Sequence, residues 1–316
     1  MINYSVLSKR PKHFTRLTGI TLEEFEVILD KFKSAWERYL RSERNKRSDW
    51  ERKAGGGNTP RLKFIEDKLL FILVYVRMYP LWFIQGMLFG IAESNSCIWG
   101  HRLLPILDEA LDSSHVKPKR TRGRGLDELI RDFPELKELG FLTDGVERPR
   151  RRPKNKDKQT STYSGKKKRH TRKNIVITRP DTNEVLYLGE TQDGKMHDKA
   201  MIDAEDLAIH HCREGDEILM GADLGFLGLT IPGTRIIMPT KKPRGSELSD
   251  TQKGQNTTFS RIRIRVEHAL AGVKRNHSVA DTCRNIKTNT DDLFMSIACG
   301  LHNLRVANRY APNVSS

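Results

Sequence analysis

From residue 140 onward the sequence changes its period, and that change limits the fold more than any other feature. Apolar runs at residues 141–144, 174–178, 184–189, 217–223 and 234–239 are too short for helices and are set off by turn residues, so they read as strands. The segment Pro180-Asp-Thr-Asn183 marks a hairpin between the second and third strands, and a helical pattern at residues 199–211 separates the third from the fourth. The order is three meandering strands followed by a helix-linked parallel pair, an α/β arrangement. Two of the runs end in an acid: Asp144 in FLTDGVERP and Asp223 in ILMGADLGF. A third acid, Glu267, stands in the helical stretch RIRIRVEHALAGVKR. A lone acid after an apolar strand is ordinarily a cap or turn residue. Here 79 positions separate Asp144 from Asp223 and 44 separate Asp223 from Glu267, which leaves room for two strands and a crossover helix in the first gap.

The 316 residues can bury a full core, and length alone suggests about two domains. A formal charge of +16, from 56 basic and 40 acidic residues, implies a polyanionic partner or a solubility device. Its distribution favours the partner: residues 147–173 hold 13 Lys or Arg against 2 acids, beside the first of the three carboxylates. The alternative is a disordered basic loop with nonspecific affinity. Cys97, Cys212, Cys283 and Cys299 form no C-x-x-C pair, so neither a zinc site nor a disulfide framework is indicated and a reducing cytoplasm is the simplest setting. His210, His211 and Cys212 lack a partner motif and read as surface or core residues. The first residues lack the apolar core of a signal peptide, and the longest apolar run, residues 69–76, is too short for a bilayer. The expectation is a soluble, cytoplasmic, nucleoid-associated protein without a membrane partner.

Three domains are expected: a helical segment at residues 1–54, a helix-turn-helix region at 60–115 and an α/β domain at 126–311. Behind a Thr21 start signal, Leu22, Phe25, Ile28, Leu29 and Phe32 fall at helix spacing. Gly55 to Gly57 reads as a linker. Helices are expected at residues 69–78 and 81–89, with a turn at Gly90-Ile91-Ala92 and a third helix from Glu93. This is a helix-turn-helix, or else an α-hairpin packed on the α/β domain. On the third helix, Asn95 and Arg102, with Ser94, Ser96 and His101, are the candidate DNA contacts. The basic stretch at 116–125 reads as a second linker, and its Arg122-Gly-Arg-Gly lacks the spacing of a phosphate-binding loop.

The motifs following Asp144 occur in a recognisable order: YSGKKKRHTRKN at 163–174, GKMHDK at 194–199, GADLGF at 221–226, IIMPTKKP at 236–243, the helix of Glu267, and IACGLHNLRVANRY at 297–310. In this order they resemble the DDE transposases of bacterial insertion sequences, in the branch that shares motifs with Harbinger-type elements. The resemblance implies an RNase H-like catalytic domain with a mixed five-stranded sheet, preceded by an all-α helix-turn-helix region. In that topology the first and fourth strands are neighbours, which brings Asp144 and Asp223 together. It further implies a metal-dependent endonuclease with strand-transfer activity, which binds an element's terminal repeats, cuts DNA and joins the 3′-hydroxyl to target DNA as a homo-oligomer on DNA. The alternatives are a domesticated DNA-binding protein and a structure-specific nuclease of the same fold.

The resemblance assigns Asp144, Asp223 and Glu267 as catalytic ligands of two Mg²⁺ or Mn²⁺ ions, with Asp144 bridging. Hard carboxylate oxygens suit these ions. Asp198 reads as the cap of the helix beside it, with a fourth ligand as the rival assignment. Glu147 is also near enough to matter. Lys166, Lys167, Lys168 and Arg169 would face the DNA, and Tyr163 would either stack on a base or pack in the core. The family pattern Y-x₂-R-x₃-E-x₆-K is matched by Arg263, Glu267 and Lys274, but Ser260 replaces the tyrosine. At about 100° per residue Arg263, Glu267 and Lys274 share a face, with Arg263 and Lys274 as further DNA contacts. Phe259, Ile262, Val266, Leu270 and Val273 form the stripe expected to pack on the sheet.

Overall fold

The computed structural model describes residues 1–45, 61–210, 215–285, 287 and 289–310, so the Gly55 to Gly57 linker, His211 and Cys212 lie outside the described residues. The described residues form two compact units, the first within Met1–Lys117, Arg275–Asp281 and Leu293–Arg309 and the second within Pro118–Lys274 and Thr282–Asp292.

The first unit begins with α1 (Tyr4–Leu7), α2 (Pro11–Thr18) and α3 (Leu22–Asn45). Gly19 ends α2 at φ 82°, a left-handed conformation that suits glycine. Thr21 and Glu24 then start α3 as a reciprocal capping box: Thr21 N donates to Glu24 Oε2 at 2.8 Å, and Glu24 N donates to Thr21 Oγ1 at 3.2 Å. Phe25, Ile28, Phe32 and Ala35 are buried on one face of α3, as the helical spacing predicts. Next come α4 (Ile65–Met78), α5 (Trp82–Phe89) and α6 (Glu93–Ser113). Every residue of α4 from Lys68 to Val76 is buried, so its unbroken apolar run makes it the central helix of this unit.

The second unit opens with α7 (Gly125–Asp132) and α8 (Leu136–Leu139), followed by β1 (Phe141–Pro149), α9 (Lys156–Thr162), β2 (Tyr163–Ser164) and β3 (Arg169–Thr178). It continues through β4 (Val185–Leu188), β5 (Gln192–Asp193), α10 (Asp198–Ala204), β6 (Ile218–Gly221), a 3₁₀ turn at Leu224–Phe226, β7 (Thr234–Ile237) and α11 (Asp250–Lys274). The chain ends in α12 (His277–Ala280) and α13 (Thr290–Tyr310). Strand order is β2-β3-β1-β6-β7, with β4 and β5 also paired to β3. β1 is antiparallel to β3 and parallel to β6, and β7 is parallel to β6. This is the mixed sheet of an RNase H-like fold. Its core gathers Phe141, Ile175, Ile177, Tyr187, Met201, Ile218, Met220 and Phe226.

Three departures from the sequence expectation have physical causes. The sheet has seven strands rather than five because β2 and β5 are two residues each, too short to leave a periodic signal. β1 runs five residues past Asp144, because its mostly polar second half, in which only Val146 is a buried apolar residue, is held by backbone pairing to Thr171 through Asn174 of β3. The helix expected at 199–211 stops at Ala204; Asp206 adopts φ 51°, and Leu207 and Ile209 are buried from an irregular segment instead. No helix among the described residues is long and apolar enough to cross a membrane.

Candidate active site

The parallel register places two of the acids side by side. Leu142 of β1 pairs with Gly221 of β6; two residues beyond that pair lie Asp144, within β1, and Asp223, just past the end of β6. Each is followed by a glycine that fixes its carboxylate. Asp144 Oδ1 accepts from Gly145 N at 2.8 Å, and Asp223 Oδ1 accepts from Gly225 N at 2.7 Å as it caps the 3₁₀ turn.

A third carboxylate reaches the same spot. A Cβ at Gly145 would lie 3.0 Å from Asp198 Oδ1, and one at Gly225 would lie 2.8 Å from Asp223 Oδ1 and 3.1 Å from Asp198 Oδ2. The two glycines therefore floor a cradle whose walls are carboxylate oxygens. Asp198 does not cap α10, contrary to the sequence expectation: the N-cap position falls on His197, and Asp198 Oδ1 accepts instead from Lys173 Nζ at 3.2 Å. Burial pushes the Asp144 carboxyl up to about 6; the Gly145 N–H and Arg263 oppose the shift, and Asp223 and Asp198 add to it.

α11 supplies the cations. Phe259 packs near Gly221, and Val266, Leu270 and Val273 are buried as expected, but Ile262 is 47 % exposed because the first half of α11 is largely uncovered. Arg263 and Lys274 both act electrostatically on Asp144. The Lys274 side chain reaches solvent, yet partial desolvation and the nearby Lys167 hold its ammonium below the usual lysine range, against the attraction of Asp144 and Glu147. Glu267 is exposed and pairs with Arg263 at 3.4 Å. The structure thus gathers Asp144, Asp198 and Asp223, flanked by Arg263, Lys274 and Lys173, with Glu267 one ion pair away. Glu147 accepts from Thr171 Oγ1 at 2.6 Å. Among the described residues, no three His, Cys, Asp or Glu side chains already stand in metal-coordinating positions.

Lys166, Lys167 and Lys168 form the exposed turn of the hairpin between β2 and β3, and Arg169, also exposed, pairs with Ser164. Tyr163 is 44 % exposed with its ring edge-on to His170, so it is not a core residue. Lys173, Gly145 and Gly225 were not singled out from the sequence. The two glycines had left a signal in the D-G and D-L-G spacing after the acids.

In the first unit, α5, a turn with Gly90 at φ 67° and α6 form the helix-turn-helix. The helices cross closely: a Cβ at Gly86 would meet Ile91 O at 2.5 Å, and one at Gly100 would meet the Trp82 ring at 2.0 Å. Ser94 and Asn95 are exposed at the start of α6. Ser96 is buried and donates to Ala92 O, which removes it from the candidate contacts. His101 packs on Trp82, and the Arg102 guanidinium lies 4.9 Å from the Trp99 ring centre and 6.0 Å from that of Tyr39.

Acids delivered to one edge of an RNase H-like sheet, in a chain that also carries a helix-turn-helix, define a class of DNA-cutting enzymes. The sequence model of the DDE superfamily endonucleases matches residues 143–303, and that of their helix-turn-helix matches residues 60–113. The chain belongs to the DDE superfamily endonucleases. It is 26 % identical over 296 residues to a probable transposase for insertion sequence element IS702 of Microchaete diplosiphon, covering 94 % of this chain and 95 % of that one. No solved structure matches. The partner of such a protein is DNA, and endonucleases of this superfamily use divalent metal ions.

Proposed function

We propose that this chain is the transposase of an insertion sequence: it binds the element's terminal repeats, cleaves phosphodiester bonds and joins the freed 3′-hydroxyl to target DNA as a homo-oligomer. The observation that carries the reading is the convergence of Asp144, Asp198 and Asp223 on a glycine-floored cradle with cations on its rim. The donors fit a hard divalent cation, since a carboxyl raised by burial, with two acidic neighbours adding to the shift, gains from a positive charge. Asp144, Asp223 and Glu267 would hold two Mg²⁺ or Mn²⁺ ions, which when bound supply an activated nucleophile and a stabilised leaving oxygen. The helix-turn-helix would engage the repeats through Asn95, with Arg102 on its packed flank. Lys166, Lys167, Lys168 and Arg169 would hold the backbone beside the cradle, and Arg263 and Lys274 the end to be cut. The domain limits proposed on this reading are 1–54, 60–115 and 126–311.

A second assignment of the ligands has its own support. Asp198 lies beside Asp223 at Gly225, whereas Glu267 is paired with Arg263. Labelled element ends incubated with purified protein and Mg²⁺ test both. Asp144→Asn and Asp223→Asn are expected to abolish cleavage with DNA still bound. If Glu267→Gln does so and Asp198→Asn does not, the third ligand is Glu267; the converse assigns it to Asp198. Cleavage without joining would reduce the reading to a nuclease, and full activity in chelator would end it.

A further inference from the structure

The helical unit holds a cluster of arginines that the helix-turn-helix does not use. Two adjoining cavities of about 530 and 500 Å³ share Thr15, Thr21, Glu23 and Arg275 as lining. Lys12, Arg16 and Arg77 line the first, and Arg305 and Arg309 line the second. We propose that this double cavity is a second DNA-binding surface, taking successive backbone phosphates on Arg77, Arg275 and Arg309 with Lys12 and Arg16. The inference needs only that DNA is the partner, not that the chain transposes.

The cluster is built into the fold. The Arg77 stem crosses Gly19, where a Cβ would lie 2.9 Å from Arg77 Cδ, and Arg77 Nε is buried without a hydrogen-bond partner. Arg305 is 7 % exposed and is held by donation from Nε to Leu301 O at 3.2 Å. The acids at hand are committed to the start of α3: Glu24 accepts from Thr21 N, and the Thr21 hydroxyl holds Glu23 below the usual carboxylate range. Among the described residues, no ion pair within 4.0 Å joins Arg16, Arg77, Arg275 or Arg309 to a carboxylate. The guanidiniums crowd one another instead. Burial, then Arg275, lowers Arg77, and burial, Arg275, Arg77 and Arg309 push Arg305 down to about 10 against the pull of Glu24. Arg77, Arg275 and Arg309, crowded by other cations and joined to no carboxylate, gain most from an anion brought by a partner, and the guanidinium fork matches phosphate oxygens. Charge spread along two adjoining cavities fits a polymer of phosphates better than one free ion.

The test measures affinity of the full-length protein for a random-sequence duplex across KCl concentrations. Arg275→Gln/Arg309→Gln and, separately, Lys12→Gln/Arg16→Gln change exposed side chains. Each pair is expected to flatten the slope of log K against log salt by about 2, at about 0.9 for each phosphate no longer neutralised, with melting no lower than wild type. Lys31→Gln/Lys33→Gln, exposed on α3 outside the cavities, should leave the slope unchanged. Unchanged slopes for both cavity pairs, or an equal flattening in the α3 control, would overturn the proposal. Inorganic phosphate at matched ionic strength should shift the melting of wild type and the Arg275/Arg309 variant alike. Saturable stabilisation of wild type alone, with the DNA slope unaltered, would make this a free-anion site and refute the DNA assignment.

Discussion

Asp144 ought to weaken the metal-free protein that it serves. Its carboxyl is raised from the ordinary 3.8 to about 6, because burial and two neighbouring acids disfavour the charge. Folding therefore favours the protonated form. The associated stability is fully present below the unfolded pKa near 3.8, is lost as pH rises through 6, and is gone above about pH 7. At about 1.36 kcal/mol per unit, the loss amounts to about 1 kcal/mol at pH 4.5 and about 3 kcal/mol at pH 8. Asp144→Asn keeps the shape and the acceptor for Gly145 N but carries no charge. In EDTA at pH 8 the variant should exceed wild type by about 3 kcal/mol in denaturant unfolding, or by about 6–12 °C in Tm, and the gap should close towards pH 4. Saturating Mn²⁺ should narrow the gap at pH 8 by stabilising wild type alone. A variant that is less stable at pH 8, or a gap independent of pH, would refute the claim that a buried, repelled charge sits at this position.

Three further outcomes follow from the same geometry. Gly225→Ala should cost under about 2 kcal/mol of stability yet sharply reduce divalent-ion affinity, read by calorimetry, because its Cβ would displace Asp223 and Asp198 oxygens at 2.8 and 3.1 Å; wild-type affinity would mean that the cradle is not the site. Asp292→Asn should destabilise the protein by about 3 kcal/mol at neutral pH. Asp292 accepts both Arg120 Nη atoms at 2.7 and 2.8 Å, and although its burial opposes the shift, those bonds and Thr191 hold it below the usual carboxylate range, so its stability is present above the unfolded pKa and lost on acidification. Neutralising Lys166 to Arg169 together should flatten the salt dependence of DNA binding by about 0.9 for each phosphate that the turn engages, whereas an unaltered slope would leave the hairpin turn facing solvent.

The sequence discloses what is carried by apolar periodicity and hides what is carried by pairing. Phe25, Ile28 and Phe32 repeat at helix spacing and are buried. The runs beginning at Phe141 and ending at Asp223 announce β1 and β6, so the meeting of the two aspartates follows from strand order. Residues 145–149 carry only one buried apolar side chain, Val146, too little for a periodic signal, and they stay in β1 through pairing with β3. The same limit applies to Asp198. At the start of a helix an acid looks like a cap, and only the close approach of α10 to Gly145 and Gly225 makes it a neighbour of Asp223.

Glu267 presents the complementary case. The helix face was legible, since Arg263 and Lys274 act on Asp144 as the 100° rotation requires. The carboxylate on that face instead holds Arg263, and in the absence of a cation the two choices are not equivalent. Turning Glu267 toward Asp144 would add another negative charge beside a carboxyl that burial, helped by Asp223 and Asp198, already raises to about 6, while its pair with Arg263 sits in solvent and is worth only about 0.2–0.5 kcal/mol. So weak a tether is easily exchanged once positive charge enters the cradle. If Glu267 is the third ligand, Arg263 would change partners as well: freed from Glu267, it would become available to a DNA phosphate, so engagement of the DNA end should depend on metal even in a variant whose cleavage has been abolished.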